Sequence, residues 1–343
     1  MRVLQAMAGA VHGGAEAFFE RLAIGFQRAG IDQKVIIRKD TARAERLSSG
    51  GVDPVQLSFG GMLDFQTSRQ LKKIAIDFKP DVVLTWMNRA TKKMPAGKDY
   101  KLVARQGGFY DLKYYRHCDY IVGNTHGIVD YLKTEGWPSE RAQYLPNFVS
   151  IEQSEPVSRS VYSTPDDVPL LLSLGRLHRN KAYDTLIEAM PLIEGAYLWI
   201  AGEGPERVAL ENQARALGVS DRVKFIGWHD DVSGLLAACD VYVCPSRHEP
   251  LGNSVIEAWA TERPVVAARS QGPMELIQHG ENGLLTPIDD NKMLAAAIVE
   301  VLGDPKLSAR LIAAGNADYL NNYTETAVIA KYLEFFNRIS EQN

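Results

Sequence analysis

Short apolar runs alternate with longer amphipathic stretches along almost the whole chain. Met1–Met7 has the composition of a buried strand, and a glycine-containing loop separates it from a helix expected to start near Ala15 and end at Gly30. The pattern recurs at Val168–Leu174 and again at Asp240–Pro245. Parallel strands require crossover helices, so the alternation predicts an α/β fold with parallel sheets and helices on both faces.

A polar segment without periodicity, residues 151–167, interrupts this alternation. It contains Pro and Ser and is typical of an interdomain linker. We therefore predict two doubly wound, Rossmann-like domains, the first over residues 1–152 and the second over residues 153–322. A chain of 343 residues is long enough to build two cores of ordinary size.

The composition is that of a soluble globular protein, with 45% apolar and 23% charged residues. No apolar run reaches the roughly 18 residues that a membrane-spanning helix needs. The N-terminus goes from a strand directly into a glycine turn and lacks the pattern of a signal peptide. Cys118, Cys239 and Cys244 are not spaced as metal ligands and are expected to be buried thiols. These features predict a cytoplasmic protein.

The net charge of −4 conceals an asymmetry between the two halves of the chain. Residues 1–150 contain 22 Lys and Arg against 15 Asp and Glu, whereas residues 151–343 contain 16 against 27. A basic first half favours an anionic partner, such as a phosphorylated glycolipid or an anionic membrane surface. Lysines on solvated helix faces would give the same imbalance without any partner, and the charge alone leaves both explanations open.

The segment Arg247–Ala260, RHEPLGNSVIEAWA, follows a buried strand. Its Pro and Gly predict a tight loop, and its apolar residues predict a helix that starts near Asn253. Glu249 would then lie in the loop and Glu257 about one turn inside the helix. Ionised carboxylates at this edge of a parallel sheet suit a ligand rich in hydroxyl groups, and the amides at the helix start favour a phosphate.

A second polar loop follows the first strand of the predicted second domain. Within Ser173–Lys181, SLGRLHRNK, two cations lie five residues apart at Arg176 and Lys181. The planar fork of an arginine and the point charge of a lysine together suit a diphosphate. Negative charge grows on a diphosphate as it leaves a sugar, so cations fixed here would stabilise that transition state more than the ground state.

These two segments resemble the motifs of a known family. The runs EPLGNSVIEA at residues 249–258 and GRLxxxK at residues 175–181 are similar to those of retaining glycosyltransferases of the GT-B fold, family 4, also called group 1 glycosyltransferases. The resemblance covers nearly the whole chain and is most specific over residues 173–285. It implies two Rossmann-like domains facing a central cleft, with a last helix, residues 323–343, crossing back onto the first domain. Ala182 departs from the family pattern, which has glycine there.

The resemblance implies a role for each motif residue. Glu249 would bind hydroxyls of the donor sugar, Glu257 the ribose hydroxyls, and Arg176 with Lys181 the diphosphate. Further donor or nucleotide contacts are implied for Gly14 from the opposite domain, and for Gly175, Gly202, Trp228, Leu251, Gly252 and Asn253. Trp228 suits stacking on the base as well as packing against a helix. No nucleophile or strong base is implied, because an oxygen of the departing phosphate is thought to take the acceptor proton.

The first domain supplies the expected acceptor side. Its glycine loop resembles the first loop of the family and contains two candidates, His12 and Glu16. The loop lacks the G-x-G-x-x-G fingerprint of dinucleotide-binding proteins. Many relatives carry His-Gly after the fourth strand of this domain, where this chain has Arg105 and Gln106 followed by two glycines. We expect Arg105 or Gln106 to position the sugar or the acceptor instead.

The sequence thus predicts a metal-independent, retaining transferase that uses a UDP- or GDP-linked sugar as donor and no cofactor. Residues 105–125, RQGGFYDLKYYRHCDYIVGNT, are similar to bacterial transferases of lipopolysaccharide core assembly, mannosyltransferases among them. The expected acceptor is an anionic glycolipid or saccharide, with peripheral association at the cytoplasmic face of the inner membrane and no nucleic-acid partner. The acidic pairs at residues 166–167, 230–231 and 289–290 lie in linker and turn contexts, which is why no metal site is predicted.

Two alternatives of different kinds stay open at this point. One is a sugar-nucleotide epimerase built on the same GT-B architecture, which release of a free nucleoside diphosphate would exclude. The other is a non-catalytic protein that binds a nucleotide sugar, which the missing histidine favours and the full set of Arg176, Lys181, Glu249 and Glu257 opposes. A dehydrogenase is less consistent with the sequence, because the glycine fingerprint is missing.

Overall fold

The computed structural model describes residues 1–11, 13–61, 64–151 and 154–341. The chain folds into two compact units. Unit 1 comprises Met1–Phe148 and Glu325–Asn343, and unit 2 comprises Val149–Thr324. The compact units therefore divide at residues 148 and 324, a few residues from the predicted boundaries at 152 and 322.

Seven strands form one parallel sheet in the described part of unit 1. They are β1 (Arg2–Met7), β2 (Asp32–Arg38), β3 (Val55–Leu57), β4 (Val82–Trp86), β5 (Lys101–Gln106), β6 (Tyr120–Gly123) and β7 (Ala142–Tyr144). Their order in the sheet is β3-β2-β1-β4-β5-β6-β7. The strand order reverses at β1, which pairs with β2 on one side and β4 on the other. In doubly wound sheets, ligands bind outside the carboxyl ends of the strands at such a point.

Helices connect these strands and cover both faces of the sheet. They are α1 (Gly14–Arg28), α2 (Thr41–Ser49), α3 (Phe65–Phe78), α4 (Met87–Lys93) and α5 (His126–Thr134). Three of them start at a side chain that accepts a bond from a helix amide: Asp40 for α2, Asp64 for α3 and Thr125 for α5. These residue types are preferred at helix starts because they satisfy an otherwise unpaired backbone N–H group.

Six strands form a second parallel sheet in the described part of unit 2. They are β8 (Leu170–Leu174), β9 (Tyr197–Ala201), β10 (Val223–Gly227), β11 (Val241–Cys244), β12 (Val265–Ala268) and β13 (Leu284–Thr286). Their order is β10-β9-β8-β11-β12-β13. Here the order reverses at β8, between β9 and β11, so the carboxyl ends of β8 and β11 are adjacent. The predicted α/β class with two doubly wound parallel sheets is confirmed.

Seven helices of unit 2 follow in chain order. They are α6 (Tyr183–Ala189), α7 (Arg207–Ala216), α8 (Val232–Ala238), α9 (Asn253–Ala260), α10 (Gln271–Leu276), α11 (Asn291–Gly303) and α12 (Pro305–Asn322). The predicted start near Asn253 is that of α9. The last helix of the chain, α13 (Glu325–Ser340), belongs to unit 1.

Helix α13 completes the core of unit 1. Its buried residues include Tyr332 and Phe336, whose rings contact Phe26 of α1 with centroids 5.9 Å and 6.3 Å apart. A Cβ on Gly25 would lie only 2.8 Å from the Cδ1 atom of Ile329, so this glycine allows α1 and α13 to approach closely. The return of the last helix to the first unit, which the family resemblance implied, therefore has a packing basis.

Two segments are more helical than the sequence predicts. The lysine-rich stretch from Lys92 to Lys101 was expected to be a loop, but α4 continues to Lys93, whose ammonium donates to the Gly61 carbonyl at 3.1 Å. The helix expected over residues 306–316 extends to Asn322, and Asn282 donates to its Asp318 at 2.6 Å. In both cases a tertiary contact supports turns that local sequence signals do not mark. Among the described residues, no helix is long and apolar enough to cross a membrane.

Candidate active site

The loop after β8 places Lys181 over Gly175. This loop runs through a short 3-10 turn, Arg179–Lys181, before α6 begins. A Cβ on Gly175 would lie 2.8 Å from Lys181 Cε and 3.2 Å from its Nζ, and Gly175 has a φ of +141°, so a side chain is disfavoured here on two grounds. The Tyr183 hydroxyl donates to the Gly175 carbonyl at 3.1 Å. The lysine stem is thereby held against the end of the strand.

The ammonium of Lys181 forms an ion pair with Glu249, 68 residues further along the chain. Both side chains are largely but not fully buried, with 24% and 13% of their surfaces exposed. The Ser246 hydroxyl donates to the same carboxylate oxygen, Oε2, at 3.4 Å. The parallel pairing of β8 with β11 brings the two loops together, so the predicted diphosphate cation and the predicted sugar carboxylate are direct neighbours.

The thiol and phenol groups around this pair are held neutral. Burial raises the pKa of the Cys244 thiol to about 11, and the charge of Glu249 acts in the same direction. Burial likewise raises the pKa of Tyr183 and Tyr242 above the usual value. At neutral pH none of these three groups is an anion, so they offer neither a thiolate nucleophile nor a phenolate base.

A network around Arg247 fixes the two loops to each other, and sequence reasoning missed it. The Arg247 guanidinium pairs with Asp184 at 2.7 Å and with Asp289 at 2.6 Å, and it also donates to the Arg179 carbonyl at 2.8 Å. The hydrogen bond to Asp184 is the main reason that the pKa of Arg247 is raised. A bidentate arginine of this kind has a defined geometry, so it positions the loop that carries Glu249 against the loop that carries Lys181.

Arg176 differs from Lys181 in its surroundings. Its side chain is exposed, at the start of the same loop. Within residues 154–341, no ion pair to Arg176 is formed. Its guanidinium is therefore available to an incoming anion, whereas the ammonium of Lys181 already has a carboxylate partner.

The turn after β9 packs directly against the backbone of this loop. A Cβ on Gly202 would lie 2.0 Å from the Gly175 carbonyl oxygen, and one on Gly204 would lie 2.2 Å from the Leu177 carbonyl oxygen. The Leu177 amide donates to the Glu203 carbonyl at 3.0 Å. Gly202, predicted to line the nucleotide side, thus acts by letting one backbone turn pack on the other.

Backbone geometry also determines the start of α9. Gly252, with a φ of +73°, precedes the helix, and no side chain caps it. A Cβ on Gly272 would lie 2.5 Å from the carbonyl carbon of Leu251, and the Gly272 amide donates to the Glu249 carbonyl at 2.7 Å. Asn253, the first residue of the helix, has a buried Oδ1 atom without a hydrogen-bond partner among the described residues. The predicted residues 251–253 therefore form the helix entrance next to Glu249.

Glu257 lies in a separate polar pocket of unit 2. The pocket has a volume of about 260 Å³ and is lined by Ser150, Ile151, Ser154, Asp230, Asp231, Val232, Ser233 and Glu257. Trp228 is 78% exposed, and its indole N–H donates to Asp230 at 3.0 Å. The predicted ribose carboxylate and the predicted base-stacking residue are thus associated with one pocket, Glu257 as a lining residue and Trp228 through its bond to Asp230.

The glycine loop of unit 1 is organised around Glu16, which was predicted to face the acceptor. Glu16 is buried and accepts a hydrogen bond from the Ala10 amide at 2.7 Å. Side chains at Gly9 and Gly13 would each lie 2.3 Å from a carboxylate oxygen of Glu16. A Cβ on Gly14, in contrast, would meet nothing within 4 Å, so the backbone there is open. His12 lies outside the described residues.

Arg43 is a second buried group that the sequence did not indicate. Its guanidinium donates to the carbonyls of Ala10 and Val11 at 2.7 and 3.2 Å, and it pairs with Glu20 at 2.9 Å. These bonds attach the glycine loop to α2, since Arg43 lies in that helix. An arginine with three-residue spacing from Asp40 has the appearance of an ordinary helix-surface pair, so no sequence signal distinguishes it.

Arg105 and Gln106, at the end of β5, have different environments. Arg105 is buried between the rings of Phe18 and Trp86, 4.7 and 4.6 Å from their centroids, and it donates to Asn147 and to Tyr332 of α13. The side chain of Gln106 is also buried, but neither of its amide atoms has a hydrogen-bond partner among the described residues. Arg105 thus supports the core of unit 1, while Gln106 has unused hydrogen-bonding capacity.

Comparison with known proteins identifies the family. The model of the family "Glycosyl transferases group 1" matches residues 154–318. The chain is 38% identical over 326 residues to the lipopolysaccharide core biosynthesis glycosyltransferase LpsE of Rhizobium meliloti (strain 1021), covering 94% of this chain and 95% of the relative. It is 33% identical over 333 residues to LpsD of the same strain, covering 95% of each. The chain belongs to the group 1 glycosyl transferases.

Solved structures agree with this assignment at the level of the fold. Anabaena HepE, solved in complex with UDP, superposes with a TM-score of 0.84 at 20% identity, covering 98% of this chain and 100% of that chain. The lipopolysaccharide outer core galactosyltransferase WaaB superposes with a TM-score of 0.76 at 19% identity, with the same coverage. The predicted GT-B fold and the predicted glycosyltransferase family are both confirmed.

The packing of Gly202 on Gly175 predicts a large cost for Gly202→Ala. The new methyl group would overlap a backbone carbonyl that cannot rotate away, so the free energy of unfolding should fall by at least about 2 kcal/mol more than in a strain-only control. Gly195→Ala is that control, because Gly195 also has a positive φ of +70° but a Cβ there meets nothing within 4 Å. Urea titration followed by tryptophan fluorescence measures both. Equal losses in the two variants would contradict the close approach.

Gln106→Met tests the unused amide. Replacing a buried amide that lacks partners with an isosteric apolar side chain should keep the free energy of unfolding unchanged or raise it by about 1 kcal/mol. Gln5→Met is the matched control, because Gln5 is equally buried but accepts from the Trp86 indole at 3.2 Å, and it should destabilise. A Gln106→Met protein that is more stable yet transfers sugar more slowly would assign the amide to substrate. Destabilisation equal to that of the control would contradict the interpretation.

Proposed function

We propose that this glycosyltransferase is a retaining enzyme that moves a sugar from a UDP- or GDP-linked donor to an acceptor of the lipopolysaccharide core type. The observation that carries the proposal is the ion pair between Lys181 and Glu249 beside the exposed Arg176 at the carboxyl ends of β8 and β11. This places two cations and one carboxylate in reach of a single small ligand. A nucleoside diphosphate sugar has the matching groups, namely phosphate oxygens next to sugar hydroxyls.

Charge development on the leaving group explains why two cations are needed. As the bond between the sugar and the diphosphate breaks, negative charge accumulates on the phosphate oxygens. Arg176 and Lys181 would receive that charge, and the network of Arg247 would keep the loop of Lys181 from moving away. Glu249 would accept hydrogen bonds from the donor sugar, and Glu257 from the ribose in the pocket that it lines.

The retaining course follows from the same arrangement. Around the ion pair, burial keeps Cys244, Tyr183 and Tyr242 neutral, so none of them supplies an anionic nucleophile or base. The acceptor hydroxyl would attack on the face from which the diphosphate departs and pass its proton to a phosphate oxygen. This route needs no protein base, which agrees with Gln106 at the position where many relatives have histidine. It also needs no metal, because the two cations provide the charge.

The relatives support the choice of acceptor. Two proteins that match this chain at 38% and 33% identity over nearly its whole length are named as lipopolysaccharide core biosynthesis glycosyltransferases. The basic first half of the chain, with 22 Lys and Arg against 15 Asp and Glu, fits an anionic glycolipid or saccharide. The corresponding location is the cytoplasmic face of the inner membrane, with peripheral association.

Substitution of the ion pair tests the site. Lys181→Ala and Glu249→Ala should each lower turnover by at least about a hundredfold, the scale found when a fixed transition-state contact is removed. Release of nucleoside diphosphate in the presence of a lipopolysaccharide-core acceptor measures the rate. Lys292→Ala and Glu300→Ala, exposed positions on α11, are the matched controls and should leave the rate unchanged. Normal activity of both site variants would remove the assignment.

A thermal-shift panel identifies the donor class. A nucleoside diphosphate at about a hundred times its dissociation constant should stabilise the protein by nearly 3 kcal/mol. We expect a response to UDP or GDP, a smaller one or none to ADP, and no change when EDTA is added. Loss of the response with EDTA would contradict metal independence. Stabilisation without release of a diphosphate onto any acceptor would favour the epimerase or a non-catalytic binding protein.

A further inference from the structure

Helix α3 of unit 1 exposes two large apolar side chains. Phe65, at its first position, is 74% exposed, and Ile76, one turn before its end, is 61% exposed. The opposite side of the helix is buried through Thr67, Leu71 and Ala75. The outward face is therefore not a core face left open by chance, because the helix already has a complete buried side.

Three basic residues share this outward face. An α-helix turns by about 100° per residue, so Phe65, Arg69, Lys72 and Ile76 fall within a stripe about 60° wide. The stripe is about 16 Å long, with an apolar residue at each end and the cations between them. Lys73 lies beside it. Together with Gln66 and Gln70, these side chains line one shallow groove along the helix. We call this surface the α3 stripe: Phe65, Arg69, Lys72, Lys73 and Ile76.

The α3 stripe contains almost no compensating negative charge. Within the helix, Asp77 is the acidic residue, and it pairs with Lys73 at 2.7 Å on the flank of the stripe. Within the described residues, no ion pair is formed by Arg69 or Lys72. A positive surface with an apolar residue at either end is complementary to a surface that is negative outside and apolar just beneath.

The helix is formed before it meets any partner. Asp64 accepts hydrogen bonds from the Thr67 amide at 3.0 Å and from the Gly60 amide at 2.7 Å. Its bonds to Thr67 hold the pKa of this carboxyl well below its usual range, so the cap stays ionised at any physiological pH. Binding would thus require no folding of α3, and all of the stripe's contacts would count toward affinity.

We propose that the α3 stripe docks unit 1 onto the surface of an anionic lipid bilayer. Phe65 and Ile76 enter the boundary between headgroups and acyl chains, and Arg69, Lys72 and Lys73 meet anionic headgroups. Isolated exposed apolar residues are normal on any protein. Here their alignment with unpaired cations on one rigid helix selects a bilayer over a purely polar partner. The proposal rests on the proposed function only in that a membrane-borne acceptor gives the docking a purpose.

Sedimentation with lipid vesicles tests the docking on the full-length protein. Vesicles of phosphatidylcholine with 30% phosphatidylglycerol (about the anionic fraction that such electrostatic binding needs) should bind the protein, and pure phosphatidylcholine vesicles should not. Arg69→Gln with Lys72→Gln should weaken binding at least about tenfold, because each cation near an anionic surface contributes to the partition. Phe65→Ser with Ile76→Ser should weaken it comparably and leave a purely salt-sensitive remainder.

A matched double variant on unit 2 serves as the control. Val208→Ser with Lys292→Gln removes a 67% exposed apolar residue and an exposed cation from other helices, and it should bind vesicles like the unchanged protein. All α3 variants should keep full turnover with a soluble, deacylated acceptor, since the stripe is remote in sequence from Lys181 and Glu249. This readout separates a failed docking surface from a failed transferase site.

Three results would overturn the proposal. One is equal vesicle binding by the α3 variants and the control variant. Another is equal binding to anionic and neutral vesicles. The third is retention on a soluble polyanion such as heparin without any binding to vesicles, which would identify the partner as an anionic glycan or protein rather than a bilayer.

Discussion

The parallel pairing of β8 with β11 is the constraint on which the site of unit 2 depends. Parallel neighbours end at the same edge of a sheet, so the loop of Lys181 and the loop of Glu249 must meet although 68 residues separate them. Once they meet, the ion pair forms, and Arg247 ties the same two loops through Asp184 and Asp289. The site is therefore a consequence of sheet topology first and of side-chain chemistry second.

Glycine has a different purpose in each unit. In unit 2, Gly202 and Gly204 let one backbone turn pack on another, and a methyl group at either would meet a carbonyl oxygen. In unit 1, Gly9 and Gly13 make room for the carboxylate of Glu16, which then holds the loop through the Ala10 amide. Gly14 alone among these faces open space. A loop in which most glycines are filled from within leaves a small and defined stretch of free backbone for a ligand.

The sequence predicted the fold because periodicity and loop composition are local signals. Strands buried on both faces are continuous apolar runs, and the starts of α2, α3 and α9 follow residues with known preferences. The motif residues Lys181 and Glu249 were also predicted, and the structure brings them together. What the sequence could not predict was long-range partnership. Arg43 and Arg247 are ordinary arginines until the fold places carbonyls and carboxylates around them, and Arg105 is a site candidate until α13 returns and covers it with Tyr332.

The state of Lys181 links the two ends of the proposed donor. Its ammonium carries three N–H groups and now donates to Glu249, so it can accept a phosphate oxygen without releasing the carboxylate. Sharing the cation would weaken its pull on Glu249 and leave more of that carboxylate's capacity for sugar hydroxyls. Departure of the diphosphate would reverse this and restore the undivided ion pair. Arg176, exposed and without such a partner, has no comparable coupling. One lysine would therefore report the presence of the leaving group to the residue that orients the sugar, and one arginine would supply charge alone.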